Sequence, residues 1–395
     1  MISVEAYRDQ VLAGVTPLPA VRVPLSDARG LVLAEDVVAA WPLPSFENSS
    51  MDGYAVVSTD LSSLPVTLTV LGDIAAGSVS DQVVSPGTTL RIMTGAPMPA
   101  GADTVVPVEK TDGGATTVEI REGVDAGAHI RHVGEDVCAG DVVLAAGARV
   151  TSRQLAVLAA VGCSHVMVYR QPTVAVLSTG SELVEPGVDP SPGMITDSNS
   201  YMLVAACTEA GAKAYRVPPI VDDHDAFLTA VREAAASADL VLTSGGVSMG
   251  VYDTVKAVFN EIGSVEFCKV AMQPGMPQGF GSVDGTKIIT LPGNPVSSYV
   301  SFENFVRPVI MRMRGERDVT RPMRTATVTE AFNSPAKKRQ FVRAQIVGDR
   351  VTPTGSQGSH VMGGLALSNC LIVVDEGVTH VAEGSIVHVI EFKEQ

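Results

Sequence analysis

This chain of 395 residues has few positively charged residues. Its 28 Lys and Arg residues face 43 Asp and Glu residues, which gives a formal net charge of −15. Duplex DNA and anionic membranes are bound mainly through Lys and Arg, so this deficit argues against both as partners. Long apolar runs are missing as well, because no run approaches the roughly 20 residues that a membrane helix needs.

Cysteines are few and widely spaced. None of the five forms a CxxC pair or has a histidine at zinc-binding spacing; they are Cys138, Cys163, Cys207, Cys268 and Cys370. This pattern predicts reduced thiols in the protein core. Near the start of the chain, Ser3 as an N-cap, Gly14 as a stop and the acidic residues between them indicate a helix and not a secretory signal. We therefore expect a cytoplasmic protein.

Apolar residues, in contrast, are plentiful at 46% of the chain. This composition and length predict two or more domains. Four regions differ in pattern: a discontinuous mixed α/β region at 1–46 and 139–170, a β module at 47–138, an α/β region at 171–320, and a β-rich region at 321–395. The segment TSRQLAVLAAVG at 151–162, with Ser152 as its cap, returns to the helical pattern of the N-terminal region. We infer that the β module is inserted between the two flanks.

Strand patterns predict the fold class, which is α/β with additional all-β modules. The inserted module contains the β-runs YAVVS, VTLTVLG, TTLRIM, DTVVPVE and TTVEIRE. From 171 onward strands alternate with helices, and five such strands, among them TVAVLS, DLVLTSGG and VEFCKVA, predict a doubly wound, mostly parallel sheet. The runs after 321 predict a small β-barrel.

Three loops that follow predicted strands are rich in glycine and serine: STGSEL at 178–183, SGGVSMGVYD at 244–253 and LPGNPVSS at 291–298. Loops at the carboxyl edge of one parallel sheet converge, so they should line one crevice. Glycines there free backbone N–H groups to face a ligand, while serines offer hydroxyls. The candidate binding residues are Ser178, Gly180, Ser244, Gly245, Gly246, Ser248, Pro292, Gly293, Pro295 and Ser297.

Two carboxylates in these loops, Glu182 and Asp253, are suited to holding Mg²⁺. The rigid PGNP followed by VSS also resembles a helix N-terminus of the kind that receives anions. Together these features predict a phosphate-bearing, nucleotide-like ligand bridged by magnesium. Each feature also has a simpler explanation, since Gly-Gly after a strand is most often only a turn and a loop glutamate is most often solvated.

The segment Gly246-Val-Ser248-Met-Gly250 matches GxSxG, the nucleophile elbow of serine hydrolases. In those enzymes the serine lies on the sharp turn directly between a strand and a helix. Here two glycines and a valine separate Ser248 from the strand, and the helical pattern begins only near Asp253. The context therefore argues against a hydrolase, although downstream Asp and His residues could complete a triad.

Six motifs occur in the order found in molybdopterin molybdenumtransferases, the family that includes the C-terminal domain of gephyrin. They are SSMDGYAV at 49–56, RIMTGAPMPAGADTVVPVE at 91–109, GEDV at 134–137, and the three loops above. The chain resembles this family over about its whole length. The resemblance implies a Mg²⁺-dependent transferase that ligates molybdenum to the dithiolene of molybdopterin. Its substrates would be molybdate and adenylylated molybdopterin, and AMP would be released.

Carried over by motif, the resemblance implies a functional set made of Asp52, Thr94, Asp136, Glu182, Asp222, Asp253, Lys269, Pro292 and Pro295. Glu182 and Asp253 would bind metal or nucleotide, and Lys269 would bind an anionic group of pterin or molybdate. The family architecture implies a homodimer of four-domain subunits, in which the β module of one subunit faces the sheet domain of the other. Such a cleft would unite Asp52, Thr94 and Asp136 with the loops. The adenylyltransferase of the same pathway would be a further partner.

One stretch departs from the family pattern. Many relatives carry lysines in a segment like KPGKP, where this chain has Gln273-Pro274-Gly275-Met276-Pro277. Either the oxyanion is held mainly by backbone and hydroxyl donors with Lys269, or another basic patch contributes. The candidates for that patch are Lys337, Lys338, Arg339 and Arg343, with donors from GSQGSH at 355–360. A Lys-Lys-Arg run is as often a solvated turn.

Two other functions stay open at this point. The α/β fold is shared with the adenylyltransferases that make adenylylated molybdopterin from ATP, but the MDGYA and MTGAP motifs argue against that reaction. A scaffolding role like that of gephyrin lacks support, because the chain has no long disordered linker or extra interaction module.

Overall fold

The computed structural model describes residues 1–246, 254–262 and 265–392. In these residues the helices are α1 (Val4–Leu12), α2 (Ser152–Ala160), α3 (Asn199–Glu209), α4 (His224–Ser237), α5 (Thr254–Glu261), α6 (Pro295–Ser301), α7 (Arg307–Met313) and α8 (Met362–Ala366). The strands of the first half are β1 (Ala20–Pro24), β2 (Val37–Val38), β3 (Asn48–Ser49), β4 (Gly53–Val56), β5 (Val66–Ile74), β6 (Thr88–Ile92), β7 (Thr104–Pro107), β8 (Thr117–Ile120), β9 (Ile130–Arg131), β10 (Val142–Leu144), β11 (His165–Tyr169), β12 (Thr173–Ser178), β13 (Leu183–Val184) and β14 (Ile195–Thr196). Those of the second half are β15 (Lys213–Arg216), β16 (Leu240–Ser244), β17 (Val265–Lys269), β18 (Met272–Gln273), β19 (Pro277–Val283), β20 (Thr286–Leu291), β21 (Met323–Val328), β22 (Phe332–Asn333), β23 (Arg339–Val347), β24 (Arg350–Pro353), β25 (Cys370–Val374), β26 (His380–Val381) and β27 (Ile386–Glu391).

Internal contacts divide the chain into two compact units. The first comprises Met1–Val21, Gly30–Ala34 and Met167–Gln395, and the second comprises Arg22–Arg29 and Glu35–Val166. The four-domain division predicted from the sequence stays a prediction.

A six-stranded sheet organises the first unit, in the order β15-β12-β16-β20-β19-β17. The first four strands are parallel, as predicted, whereas β19 runs antiparallel to both β20 and β17. Strand β19, which joins β20 through a two-residue turn, was not predicted from the sequence. Asp284 and Gly285 both have positive φ in that turn, and Asp-Gly is the pair that such a hairpin favours.

Register aligns the ends of the central strands. Ser178 at the end of β12 lies opposite Ser244 at the end of β16, and Ser244 lies opposite Leu291 at the end of β20. The three Gly-Ser loops therefore leave the sheet at the same level, as predicted from the topology rule for parallel sheets.

Apolar side chains alternate between the two faces of this sheet, because successive residues of a strand point in opposite directions. Val176, Leu242 and Ile289 belong to a core that includes residues of α1, α3, α6 and α7. Leu177 and Val241 pack on the opposite face with residues of α4 and α5. Helices on both faces confirm the doubly wound class.

The other predicted β-structures also form. The five β-runs of the inserted module are the five strands of one sheet, ordered β7-β4-β6-β5-β8. In the C-terminal region, β23, β24, β21, β27 and β25 close into a barrel because β25 pairs back to β23. The short strand β18 extends this barrel beside β23.

Helix caps and cysteines differ from prediction in two places. Ser3 caps α1 as predicted, since its Oγ accepts from the Ala6 N–H at 3.1 Å. The cap of α2 is Thr151, whose N–H donates to the Gln154 side chain at 3.3 Å, and not Ser152.

All five cysteines are free thiols, but Cys138 is exposed, so the prediction of a core position is wrong for it. Among the described residues no helix is long and apolar enough to cross a membrane.

Candidate functional site

A crevice of about 350 Å³ lies at the carboxyl edge of the parallel strands. The three Gly-Ser loops contribute to its lining together with the start of α3 and the loop before α8. Its lining residues are Ser178, Thr179, Glu182, Leu183, Ile195, Thr196, Asp197, Ser198, Asn199, Ser244, Gly245, Gly293, Asn294, Pro295, His360 and Met362. The fold thus brings together six residues predicted from the loops: Ser178, Glu182, Ser244, Gly245, Gly293 and Pro295.

The remaining loop candidates lie around the crevice or outside the described residues. A Cβ on Gly180 would lie 2.5 Å from a carboxylate oxygen of Glu182, so glycine makes room for that side chain. Gly246 has a φ of 67°, which favours glycine, and Pro292 is buried. Ser248 and Asp253 lie outside the described residues.

Backbone N–H groups of the loop glycines are less available than predicted. The Gly180 N–H donates to the Ile220 carbonyl at 3.1 Å, and the Gly245 N–H donates to the Leu291 carbonyl at 3.2 Å. The prediction of amides free to face a ligand is therefore wrong for these two glycines. Donors to a ligand in this part of the crevice must come largely from side chains.

Two polar residues that the sequence analysis missed organise those side chains. Asp197 is 1% exposed and accepts from Ser178 Oγ at 3.1 Å and from the Ser200 hydroxyl at 2.6 Å. Asn199, the first residue of α3, donates from Nδ2 to Ser244 Oγ and to the Gly293 carbonyl, both at 2.7 Å. In the sequence, both residues stand in the polar segment TDSNS at 196–200, where α3 begins.

A second pocket of about 200 Å³ lies beside the crevice and is called the Lys338 pocket here. It is lined by Met272, Gln273, Pro274, Gly275, Met276, Ser297, Lys338, Gln357, Gly358 and Ser359. Ser297 therefore belongs to this pocket, although we predicted it in the crevice. The segment that departs from the family pattern also lies here, and Lys338 supplies a cation beside it.

The two pockets share a wall. Asn294, which lines the crevice, donates from Nδ2 to the hydroxyl of Ser359, which lines the Lys338 pocket, at 2.9 Å. The Val296 N–H also donates to the Ser359 carbonyl at 3.2 Å. A contact between the loop before α6 and the loop before α8 thus separates the cavities.

Two of the other basic candidates, Arg343 and Arg339, are bonded to other parts of the protein. Arg343 is 1% exposed and donates to the carbonyls of Ser356, Gly358 and Val361, so it shapes the loop that lines both pockets. Arg339 pairs with Glu5, Asp375 and Glu376. Lys337 is exposed, whereas Lys338 is half-buried and makes no ion pair within the described ranges.

Two residues of the set implied by the resemblance stand apart from these cavities. Asp222 accepts from the Ser181 N–H at 3.2 Å while its own N–H donates to Ser181 Oγ at 3.0 Å, which ties it to the loop that carries Glu182. Lys269 is exposed at the end of β17, two strands away from β20. Neither is among the described residues that line the two pockets.

In the second unit, the structure brings together Asp52 and Thr94. Asp52 Oδ1 accepts from the Thr94 N–H at 2.7 Å and from the Thr94 hydroxyl at 2.8 Å. These two hydrogen bonds, the backbone one first, lower the pKa of Asp52 from its usual value. Asp136 is exposed, and its N–H donates to the Leu43 carbonyl at 3.0 Å.

A crevice at the carboxyl edge of a doubly wound sheet places the first unit among the α/β proteins that bind ligands at a topological switch point. Comparison with known proteins is more specific. Residues 2–162 match the MoeA N-terminal region (domain I and II), residues 175–312 a probable molybdopterin binding domain, and residues 325–392 the MoeA C-terminal region (domain IV).

Relatives cover the whole chain. It is 46% identical over 397 residues to molybdopterin molybdenumtransferase 2 of Mycobacterium tuberculosis, covering 98% of both chains. It is 36% identical to the molybdopterin molybdenumtransferase of Haemophilus influenzae, covering 99% of both. The crystal structure of the molybdopterin biosynthesis MoeA protein from Pyrococcus horikosii matches with a TM-score of 0.87, 30% identity and 100% coverage of both chains. The chain belongs to the molybdopterin molybdenumtransferase family, whose members are transferases of molybdenum cofactor biosynthesis.

Proposed function

We propose that this chain inserts molybdenum from molybdate into adenylylated molybdopterin, with release of AMP. The observation that carries the proposal is the full-length similarity to molybdopterin molybdenumtransferases. The two adjoining pockets support it, because the reaction joins a nucleotide-bearing substrate to a small oxyanion. Nothing in the fold or the relatives favours the ATP-dependent adenylyltransferase or the hydrolase.

The crevice is proposed to hold the nucleotide part of the substrate. Ser178, Ser244 and the backbone of Gly245, Gly293 and Pro295 surround its floor. A volume of about 350 Å³ is in the range of small-ligand sites. Gly180, Gly246 and Pro292 are proposed to keep the loops in the conformation that forms this floor, and Ser248 is proposed as a hydroxyl donor to the ligand.

The Lys338 pocket is proposed to hold molybdate. Lys338 is its ammonium donor, while the Gln273 amide and the hydroxyls of Ser297 and Ser359 are neutral donors. A charged donor strengthens hydrogen bonds to an oxyanion. Of the two alternatives left open by the sequence, we propose the second, with a single cation from the C-terminal region. Lys269 is proposed to act on an anionic group of the pterin.

Magnesium is proposed to bind at Glu182 together with Asp253. Among the described residues, no group of three or more His, Cys, Asp or Glu side chains could hold a metal ion. Mg²⁺ usually takes only one or two protein carboxylates and completes its shell with phosphate oxygens and water, so the residues present fit. Bound there, the ion would neutralise phosphate charge and polarise the phosphorus for cleavage. Gly180 leaves the space in which the Glu182 carboxylate lies.

Asp52, Thr94 and Asp136 are proposed to take part in the same reaction, with Asp52 acting as a carboxylate. Asp222 is proposed to position the loop of Glu182 through Ser181.

We further propose a homodimer in which Asp52, Thr94 and Asp136 complete the crevice of the other subunit. Exposed apolar side chains such as Val38, Trp41 and Val142 support a subunit interface. The adenylyltransferase of the pathway would supply the substrate in the cytoplasm, whose reducing conditions suit five free thiols.

The test of the proposed function is AMP release from adenylylated molybdopterin. With Mg²⁺ present, we expect release to depend on molybdate and to stop when the metal is chelated. ATP with free molybdopterin serves as the control reaction and should not be consumed. Release that is independent of molybdate, or consumption of ATP, would contradict the assignment.

The Asp52–Thr94 pair predicts a pH effect. Removing the Thr94 hydroxyl in Thr94→Val deletes one of the two bonds that lower the Asp52 pKa, so that pKa should rise toward its usual value. Because the active form is the carboxylate, the acidic limb of the activity profile should shift to higher pH. The Asp52 pKa itself can be followed by carbon-13 NMR titration, and Thr111→Val in the same β module is the control.

An unchanged Asp52 pKa in Thr94→Val would show that the hydroxyl bond does not hold the carboxylate. A raised pKa with an unchanged activity profile would instead remove Asp52 from the reaction.

A further inference from the structure

The two serine hydroxyls on the crevice floor have opposite hydrogen-bond polarity. Ser178 Oγ donates to Asp197 Oδ1 at 3.1 Å, and Asp197 also pairs with Arg216 at 3.4 Å. An ionised carboxylate only accepts, so the single hydrogen of Ser178 is already used. Toward a ligand, Ser178 therefore presents lone pairs and cannot donate.

Ser244 has the reverse arrangement. Its Oγ accepts from Asn199 Nδ2 at 2.7 Å, which leaves its own hydrogen to be donated. Ser244 is 3% exposed, and within the described ranges no acceptor takes that hydrogen. A buried donor of this kind normally has a partner, which points to an acceptor on the ligand.

The orientation of Asn199 is fixed by its second bond. The Gly293 carbonyl can only accept, so the nitrogen and not the oxygen of the amide must face it, at 2.7 Å. The same nitrogen then faces Ser244. Asn199 Oδ1 has no hydrogen-bond partner among the described residues, so the side chain acts through its two donated bonds.

We propose that Asn199 is a positioning residue that turns the Ser244 hydroxyl into a donor to the phosphate of the nucleotide in the crevice. The inference rests on the proposed function, because it takes the ligand of the crevice to be a nucleotide. With the Gly180 and Gly245 amides bonded inside the protein, this hydroxyl is a donor that the crevice keeps for an anion. Asn199 also holds the loop at Gly293 at a fixed distance from Ser244.

The experiment measures AMP and adenosine binding by isothermal titration calorimetry. Asn199→Ala should weaken AMP binding by about tenfold, the usual effect of one lost hydrogen bond to a charged group. Ser244→Ala should do the same, and the double variant should be no weaker than Ser244→Ala. Adenosine lacks the phosphate, so the ratio of AMP to adenosine affinity should fall by a similar factor, which a merely structural role would not cause.

Asn199→Asp is the second variant, since it keeps the size of the side chain. A carboxylate cannot donate, so the Ser244 hydrogen turns toward it, and AMP binding should fall at least as far as in Asn199→Ala. The matched control is Asn369→Ala, which removes an amide that donates to the Ile346 carbonyl in the C-terminal barrel. It should leave AMP binding unchanged.

Additive losses in the double variant, or equal losses of AMP and adenosine affinity, would overturn the inference while leaving the nucleotide crevice intact. Failure of the wild-type protein to bind AMP would overturn both the nucleotide crevice and the role of Asn199. The two failures are therefore distinguishable.

Discussion

Replacing Lys338 by alanine will raise the KM for molybdate by about tenfold to a hundredfold, the range expected for one charged hydrogen bond to an oxyanion. Among the described residues, Lys338 is the cation that lines the pocket beside Gln273 and Met276. The other donors of that pocket are neutral, so they cannot replace its charge. AMP affinity should change little, because Lys338 does not line the crevice within the described ranges.

Lys337→Asn is the matched control for Lys338→Ala. It removes the same charge from the neighbouring exposed residue, and asparagine tolerates the positive φ of 63° at that position. It should leave the KM for molybdate within about twofold, the effect expected of a solvated charge. In the Lys338→Ala background, Met276→Lys should restore part of the affinity by placing an ammonium in the same pocket. Equal effects of the two lysine substitutions would show that net charge, and not the pocket, attracts the oxyanion.

Mixing two inactive variants will restore activity if the homodimer shares its sites between subunits. Asp52→Ala leaves the crevice intact, and Glu182→Ala, which removes the proposed magnesium ligand, leaves Asp52 intact. After dissociation and random reassociation, half of the dimers carry one variant of each kind, and each has one undamaged shared site. The recovered activity should be about a quarter of the wild-type value.

The control is a mixture of Asp52→Ala with Thr94→Ala, in which both changes affect the same module and no undamaged site can form. The readout is molybdate-dependent AMP release, with native mass spectrometry to count the mixed dimers. If mixed dimers form and activity stays at the level of the separate variants, each site lies within one subunit and the proposed sharing is wrong.

The sequence predicted the sheet and its edge correctly because both depend on local, repeated signals. Buried β-branched runs alternating with helices specify parallel strands, and parallel strands bring their carboxyl ends together. The five β-runs of the inserted module were likewise recognisable from strand propensity and turns. Strand β19 was missed because its sequence, PQGFGSV, lacks the β-branched pattern, although the following Asp-Gly was a hairpin signal.

The chemistry of the site was less predictable, because it depends on which partner each polar group finds in three dimensions. Gly180 and Gly245 were recognisable as loop glycines, but only the folded chain shows that their amides bond to Ile220 and Leu291. Asn199 bonds to residues 45 and 94 positions away, a pairing that carries no local signature. In the same way, Arg343 and Lys338 look alike in sequence, yet one is bonded to loop carbonyls and the other faces a pocket.

The hydrogen bond between Asn294 and Ser359 is part of the partition between the two cavities. Because the partition joins segments 65 residues apart, a shift of the loop before α8 would merge the cavities into one chamber. Under the proposed function, the nucleotide part of the substrate and the molybdate would then occupy one chamber. The loop before α8, which Arg343 holds through the Ser356 and Gly358 carbonyls, is accordingly the segment whose position sets how far the two cavities are separated.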